Sequence, residues 1–181
     1  MTTEELFALP EDDDLDRELF RGELREEEMA KRSVGHSKAV SNVSKALAGW
    51  CDKQPEPRGI AIGGEAACRI RRDPDTTIGV DAACISPKVA AATPKNARFV
   101  DAPPVLAVEV LSPSDRHQHV VERIAEYLEC GVPVVWLVDP ILETVEVFHP
   151  DSPPALFNIG QQMAEDRALP GLRASVRELL G

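Results

Sequence analysis

An almost unbroken apolar run at residues 104–111 most constrains what this chain can fold into. A run of this kind is typical of a central strand that is covered on both faces. It nevertheless contains Glu109, and a buried carboxylate is costly unless a cation, a metal ion or hydrogen bonds compensate its charge. The run therefore predicts a buried strand that carries a carboxylate inside the sheet for chemistry; the alternatives are a structural ion pair or a carboxylate at a strand end in water.

The residues after this run predict a strand–helix–strand unit. Ser114 or Asp115 is expected to cap the start of a helix, and Gly131 followed by Pro133 is expected to end it. The apolar stripe of that helix consists of Val120, Ile124, Tyr127 and Leu128. A second apolar run follows at residues 134–138, and two strands joined through a helix predict a parallel, right-handed crossover.

The rest of the chain predicts a mixed sheet with further helices. Strand-like runs stand at residues 60–62, 66–71, 78–85 and 144–148, and a hairpin is expected around Gly22. A helix is expected after Ser33, with one apolar face formed by Val40, Val43, Leu47 and Trp50. Together these elements predict a single mixed-sheet α/β domain.

Charge and length limit the classes of function. The chain has 181 residues, the size of one domain, and a net charge of -11 from 20 basic and 31 acidic residues. This charge argues against a general nucleic-acid coating protein. Residues 57–100 hold seven basic and four acidic side chains, a pattern compatible with a local basic face or with scattered surface charges.

The amino-terminal segment is the most acidic part of the chain. Residues 1–32 hold twelve acidic and five basic side chains, and we interpret them as an acidic extension that packs on a core domain at residues 33–181. The segment lacks the basic and apolar blocks of a signal peptide. No apolar run approaches the ~20 residues that cross a bilayer. We therefore expect a cytoplasmic protein without a membrane partner.

A second carboxylate lies within an apolar run of the sequence. Asp81 stands within the run at residues 78–85, and it converges with Glu109 if the two strands are neighbours. Two converging carboxylates suit Mg²⁺, or Mn²⁺, which takes carboxylate and water oxygens together with substrate phosphate. The alternatives are that Asp81 caps a turn or pairs with Arg71 or Arg72, or that the two acids perform acid–base catalysis without metal.

Several blocks of the sequence resemble one known family. The central block comprises residues 103–115, 126–127, 131–133 and 136–140; residues 18–24, His36, residues 80–81 and the tail from Phe157 to Leu172 match more loosely. These blocks are similar to the signature of the Uma-two family, bacterial restriction-endonuclease-like proteins of the PD-(D/E)xK nuclease superfamily. The resemblance implies a restriction-endonuclease-like α/β fold, with one mixed β-sheet flanked by helices.

The resemblance also implies roles for individual residues. Asp81 and Glu109 would bind Mg²⁺ or Mn²⁺, and Glu18 and His36 would be further site residues. The reaction would be hydrolysis of phosphodiester bonds in nucleic acid, above all DNA. Because a duplex has two antiparallel strands, a homodimer is the expected assembly.

Arg123 is the main departure from the family pattern. The family places a lysine four residues before the helix tyrosine, Tyr127, and the usual lysine position of the superfamily holds Leu111. A buried lysine can lose its proton, whereas arginine stays charged. Arg123 could clamp a phosphate but would be a poor base. Two functions stay open: an endonuclease with weakened activity, or a catalytically inactive module of the same fold that binds nucleic acid or a protein partner.

Overall fold

The computed structural model describes residues 1–29 and 31–181. In chain order its helices and strands are α1 (Thr3–Leu6), β1 (Leu15–Phe20), β2 (Glu23–Glu28), α2 (Val34–Cys51), β3 (Ile60–Arg71), β4 (Thr76–Ile85), α3 (Pro87–Ala92), β5 (Leu106–Val110), α4 (His117–Glu129), β6 (Val135–Asp139), β7 (Thr144–His149), β8 (Ser152–Asn158), β9 (Gln162–Glu165), β10 (Leu172–Ser175) and α5 (Val176–Leu180).

One mixed sheet of eight strands forms the centre of the molecule. Its strand order is β2-β1-β4-β5-β6-β7-β8, and β3 also pairs with β4. The pairing of β5 with β6 is parallel, and the pairing of β4 with β5 is antiparallel. The predicted parallel crossover through α4 is therefore confirmed, and so is the prediction of a mixed-sheet α/β domain.

The two faces of the sheet are covered by different helices. On one face α2 packs through Ala39, Val43 and Leu47; on the other, α4 packs through Ile124 and Tyr127. The buried stripe of α2 differs from the predicted one, because its two other buried residues are His36 and Cys51, whereas Val40 and Trp50 are only half-buried. Small residues of the sheet, among them Ala82 and Cys84 of β4, lie in the same core. They leave room for this closer-packed stripe.

Three local predictions need correction. The runs at 60–62 and 66–71 are one continuous strand, β3, with a shift of register between Gly63 and Ala66. Helix α4 begins at His117, later than expected, because the Asp115 carboxylate accepts the backbone N–H of Ser112 instead of capping the helix. The sequence did not predict β8, β9 and β10: β8 is almost fully exposed, and β9 and β10 alternate over only four residues each.

The acidic segment at residues 1–32 contributes two strands to the sheet. Strand β1 pairs with β2 along its length and touches β4 through Leu19 and Thr77. The division of the chain at residue 32 stays a prediction. Within the described part of the chain, no helix is both long and apolar enough to cross a membrane.

Candidate active site

A β-bulge marks the position of Asp81 on β4. The register shift between Gly63 and Ala66 leaves Gly64 and Glu65 as two residues opposite the single Asp81. Both bulge residues have positive φ, 77° and 61°, which is uncommon for a side chain such as glutamate. Bulges of this kind often lie next to active sites, where they re-aim a side chain. The bulge is therefore a local reason why Asp81 projects where it does.

Asp81 and Glu109 are brought together by the pairing of β4 with β5. Ala82 pairs with Val108, and one further step of this antiparallel register sets Asp81 directly opposite Glu109, on the same face of the sheet. The Asp81 Oδ2 also accepts the backbone N–H of Val110 at 2.8 Å. Burial raises the pKa of Asp81, although the Val110 N–H and nearby cationic groups oppose the rise.

Glu109 is the most strongly perturbed carboxylate of the site. Its side chain accepts the Tyr127 hydroxyl at Oε1, 2.6 Å away, and the Arg123 guanidinium at Oε2, 3.0 Å away. Burial raises the pKa of Glu109 to about 7, and the nearby Asp81 adds to the rise, while Arg123 and Tyr127 oppose it. A carboxyl group with such a pKa is half protonated near neutral pH. An additional cation beside it would favour its ionised form.

Arg123 joins two carboxylates across the site. Its Nη2 donates to Glu18 Oε1 at 2.6 Å, and its Nη1 donates to Glu109 and to the carbonyl of Gly79 at 3.1 Å. Burial alone would lower the pKa of Arg123, but Glu109 and Glu18 outweigh it and raise the pKa well above its ordinary value. Arg123 is thus a fixed positive charge. Burial also raises the pKa of Glu18, against the attraction of Arg123.

His36 approaches the site from the first turn of α2. Its Nε2 lies 3.5 Å from Asp81 Oδ1, and the residue is only 4% exposed. Within the described part of the chain, neither ring nitrogen of His36 has a hydrogen-bond partner. A buried imidazole without partners is costly. The packing of α2, and not a hydrogen bond, therefore places the His36 ring beside Asp81.

Four of these residues, Glu18, Asp81, Glu109 and Arg123, line one cleft of about 270 Å³ between the β1–β2 hairpin, the sheet and α4, and His36 lies behind its lining. The floor carries Asp81 and Glu109, and the walls carry Glu18 and Arg123. Further charged groups surround the opening, namely Asp16, Arg17, Arg25, Glu27, Arg32, Glu65, Asp115 and Arg116. The site therefore combines acids on its floor with arginines around it. The acids suit a cation, and the arginines suit the phosphate of a substrate.

Comparison with known proteins identifies the family. The model of the Uma2 family, described as "Putative restriction endonuclease", matches residues 3–177. The chain belongs to the Uma2 family. Among solved structures, it is similar to the crystal structure of a putative nuclease belonging to DUF820 from Anabaena variabilis, with a TM-score of 0.80 and 22% identity over 99% of this chain and 97% of that chain. No curated protein matches the chain.

The likeness to the Anabaena protein shows the fold alone, because the two sequences are distant. It confirms the predicted restriction-endonuclease-like architecture of a mixed sheet flanked by helices. The family model adds that this chain is of the restriction-endonuclease-like kind.

The side chains of this Uma2 protein fit a divalent metal of the magnesium type. Mg²⁺ takes one or two carboxylates and completes its coordination with water and substrate oxygens. Asp81 and Glu109 supply hard oxygens, and no described residue donates a hydrogen bond to Asp81 Oδ1. Among residues 1–29 and 31–181, no group of three or more His, Cys, Asp or Glu side chains is arranged to hold a metal. The donor set suits a partly hydrated ion and does not suit a fully protein-enclosed zinc.

The structure gathers all five residues expected at the site, Glu18, His36, Asp81, Glu109 and Arg123, within one hydrogen-bonded and electrostatic neighbourhood. Their catalytic roles stay predictions.

The sequence missed two groups that hold the carboxylates. Tyr127 was assigned only to the apolar stripe of its helix, yet its hydroxyl donates to Glu109. The backbone N–H of Val110 donates to Asp81. The spacing of Arg123 and Tyr127, four residues apart on one helix, could have indicated that both reach the same carboxylate. No sequence signal marks the Val110 N–H.

Proposed function

We propose that this protein is a metal-dependent endonuclease that hydrolyses phosphodiester bonds of DNA with Mg²⁺ or Mn²⁺. The observation that carries the proposal is the pair Asp81–Glu109, two buried carboxylates of raised pKa on neighbouring strands at the floor of a cleft. Perturbed carboxylates in a cleft are typical of functional sites. The membership of a restriction-endonuclease-like family supports the assignment of the reaction.

Each residue of the site has a separate task in this proposal. A bound divalent ion supplies Lewis-acid polarisation of the phosphate and a more acidic water. Asp81 and Glu109 hold that ion, and Tyr127 and the Val110 N–H fix the orientation of the two carboxylates. Arg123 remains charged, so it stabilises negative charge on the phosphate and does not take a proton.

A cleavage assay on a panel of single- and double-stranded DNA and RNA tests the proposal. With Mg²⁺ or Mn²⁺, we expect Asp81→Asn to lower the rate at least a hundredfold, because it removes a carboxylate from the metal site. Asp151→Asn is the matched control. This exposed carboxylate lies on the turn before β8 and pairs with Arg167. Metal-independent cleavage, or equal rates for the two variants, would refute the metal-dependent mechanism.

Arg123→Lys distinguishes the two roles that the sequence leaves open for this position. The guanidinium holds Glu109, Glu18 and the Gly79 carbonyl at once, and a lysine ammonium cannot reproduce this planar fork. We expect cleavage to fall. A rise of about tenfold would instead show that the reaction needs a group able to move a proton at this position.

One observation favours the second candidate, a catalytically inactive module that binds nucleic acid or a protein partner. Both oxygens of Glu109 already have donors, and Arg123 is shared between Glu109 and Glu18. A carboxylate whose hydrogen bonds are satisfied in this way can persist without metal. If calorimetry detects no Mg²⁺ or Mn²⁺ binding to the wild type, and no substrate of the panel is cleaved, the inactive module is the better description.

The homodimer is part of the same proposal. Val34, Ile141 and Leu142 are 86%, 73% and 72% exposed, and the first of them adjoins Gly35, whose added Cβ would lie 3.7 Å from Pro140. These apolar side chains are candidates for a two-fold contact. Sedimentation that shows only monomer across micromolar concentrations would remove the dimer from the proposal without affecting the site.

A further inference from the structure

The lysines of this acidic protein are unevenly distributed. Lys31, Lys38, Lys45 and Lys53 are four of its six lysines; the other two are Lys88 and Lys95. The first four are separated by seven, seven and eight residues, and they begin just before α2 and end just after it. Helix α2 itself contains no aspartate or glutamate among its 18 residues. In a chain with 31 acidic residues, an acid-free helix with lysines at this spacing is unusual.

The spacing places these lysines on the outer face of α2. At 100° per residue, Lys38, Asn42, Lys45 and Gly49 fall within an arc of about 60°. The buried stripe of His36, Ala39, Val43, Leu47 and Cys51 lies on the opposite side. Lys53 follows on the turn that continues the helix, where its N–H donates to the Trp50 carbonyl. The basic stripe spans about 22 Å from Lys38 to Lys53 at 1.5 Å per residue.

A groove of about 530 Å³ runs between this stripe and the loop before β10. Lys45 and Lys53 line it together with Trp50 and Arg173, and Glu178 is the one acid in its lining. Trp50 is half-buried, and its indole N–H donates to the Pro170 carbonyl at 3.2 Å.

The basic groups of the groove differ in how far they are already neutralised. Arg173 is held by Asp166 through both terminal nitrogens. Lys38 donates to the Gly181 carbonyl at 2.5 Å. Lys45 and Lys53 are exposed, and their ammonium groups form no hydrogen bond or ion pair with any described residue. The groove thus keeps two cationic groups available for an outside partner.

The other basic region of the sequence, residues 57–100, has less free charge along its strand. Arg69, Arg71 and Arg72 of that region all pair with carboxylates in the structure. Its two exposed lysines, Lys88 and Lys95, lie on α3 and just after it and do not line the groove.

We infer that the outer face of α2, with Lys45, Lys53 and Trp50, binds the phosphate backbone of a nucleic acid strand. Unpaired lysines supply the contact to phosphate, and an aromatic wall beside them is the arrangement that holds single-stranded bases by stacking. Ala46 and Gly49 lie between the two lysines in the groove lining. An added Cβ at Gly49 would meet nothing within 4 Å, so a backbone can approach the helix closely.

The position of α2 links this surface to the cleft. His36, in the first turn of the helix, lies 3.5 Å from Asp81, and the basic stripe leads from that end of the helix to the other. Since His36 faces the sheet and the lysines face away from it, a strand whose scissile phosphate lies at Asp81 would pass around the first turn of α2 to reach the basic stripe. The inference rests on the proposed function for the identity of the ligand, and it names a second contact of that ligand outside the cleft.

Fluorescence anisotropy with labelled 20-nucleotide single-stranded and duplex DNA tests this surface. The background is Asp81→Asn, which prevents cleavage during the titration. Lys45→Glu/Lys53→Glu should weaken binding at least tenfold at low salt. It should also reduce the slope of log affinity against log salt by about 1.5 to 2, because two phosphate contacts are lost. Lys88→Glu/Lys95→Glu, with the same change of charge elsewhere, should weaken binding less than threefold. Thermal melts confirm that both double variants fold.

The outcomes separate this inference from the proposed function. Equal weakening by the two double variants, or no DNA binding by any protein, overturns the α2 surface. The cleavage assay with Asp81→Asn then still decides whether the protein is a nuclease. Loss of binding by the α2 variant alone supports the surface even if no metal-dependent cleavage is found. The inference is also overturned if Lys45→Glu/Lys53→Glu changes the sedimentation coefficient of the protein but leaves its DNA anisotropy unchanged. The outer face of α2 would then contact a second copy of the chain.

Discussion

Two buried carboxylates, Glu109 on β5 and Glu126 on α4, have pKa values that are shifted in opposite directions. Glu109 of β5 is 9% exposed and its pKa is raised to about 7. Glu126 of α4 is 0% exposed, yet its pKa is lowered. Burial raises the pKa of both, so burial does not explain the difference. The decisive quantity is the balance of charge around each carboxylate.

The donors around the two groups differ in number and charge. Glu126 accepts from Arg71 at 2.6 Å, from Arg21 at 2.7 Å and from the Thr76 hydroxyl at 2.8 Å. Both arginines also pair with Glu129, so two arginines serve two acids in this network. At Glu109 positive charge is scarcer, because the single Arg123 serves Glu109 and Glu18 while Asp81 adds a third negative charge.

This difference indicates different purposes. The Glu126 network is electrically satisfied and ties α4 to the β1–β2 hairpin and to the start of β4, which positions Arg123 and Tyr127 on the same helix. The Glu109 site lacks positive charge, and a divalent cation would complete it. A structural ion-pair network and a candidate active site therefore lie one helical turn apart, and charge balance distinguishes them.

The largest expected effect comes from neutralising the structural carboxylate. Glu126→Gln should lower the free energy of unfolding by about 3 kcal/mol, because a fully buried carboxylate that accepts hydrogen bonds from two arginines and a threonine is replaced by an amide whose NH2 group cannot accept, while the arginines keep only Glu129. Glu109→Gln should change it by less than about 1 kcal/mol, since Glu109 is half protonated at neutral pH and Arg123 keeps Glu18. Denaturant unfolding of the metal-free protein at pH 7 measures both. Equal losses would erase the distinction between the two networks.

The pH dependence of stability should have opposite signs at the two carboxylates. The folded protein holds a proton on Glu109 up to about pH 7, whereas the unfolded chain releases it near pH 4.5. The stability that Glu109 contributes is therefore present below about pH 4.5 and lost as the pH rises through 7. The expected loss is on the order of 2 kcal/mol relative to Glu109→Gln.

At Glu126 the lowered pKa makes the folded protein release its proton first, so its contribution is present above about pH 4.5 and is lost on acidification. Unfolding curves of the wild type and of both glutamine variants from about pH 2.5 to pH 8 check the two signs, because the Glu126 contribution is lost below about pH 4.5. A wild type that gains stability relative to Glu109→Gln between pH 5 and pH 7 would contradict the assignment of Glu109.

The smallest effects come from removing one neutral donor at each carboxylate. Tyr127→Phe and Thr76→Val should each cost about 1 kcal/mol of stability, the usual contribution of one hydrogen bond. Their effects on ionisation should differ. Tyr127→Phe should raise the pKa of Glu109 further, because only Arg123 then opposes burial, whereas Glu126 should stay ionised in Thr76→Val through its two arginines.

NMR titration of the side-chain carboxyl carbons measures these changes. If Thr76→Val moves the pKa of Glu126 as much as Tyr127→Phe moves that of Glu109, the two arginines do not dominate the Glu126 network.

Much of the fold could be predicted from local patterns. The apolar runs at 104–111 and 134–138 predicted β5 and β6, and the helical stripe between them predicted α4. Buried strands and amphipathic helices differ in the spacing of their hydrophobic residues. The edge of the sheet could not be predicted in the same way. Strand β8 contains Pro153 and Pro154 and is almost fully exposed, so no alternation of polar and apolar residues reveals it.

The candidate site, too, could be predicted from the sequence only in part. The sequence alone marked Asp81 and Glu109, since an acid inside an apolar strand conflicts with its surroundings and is visible without coordinates. It named Glu126 only within the block that resembles the family, and it gave no reason to expect that this side chain is buried. Its burial depends on Arg21 and Arg71, 105 and 55 residues away in the chain. Only the tertiary structure decided which carboxylate is neutralised and which is left short of positive charge, because ionisation depends on charges that folding brings together from distant segments.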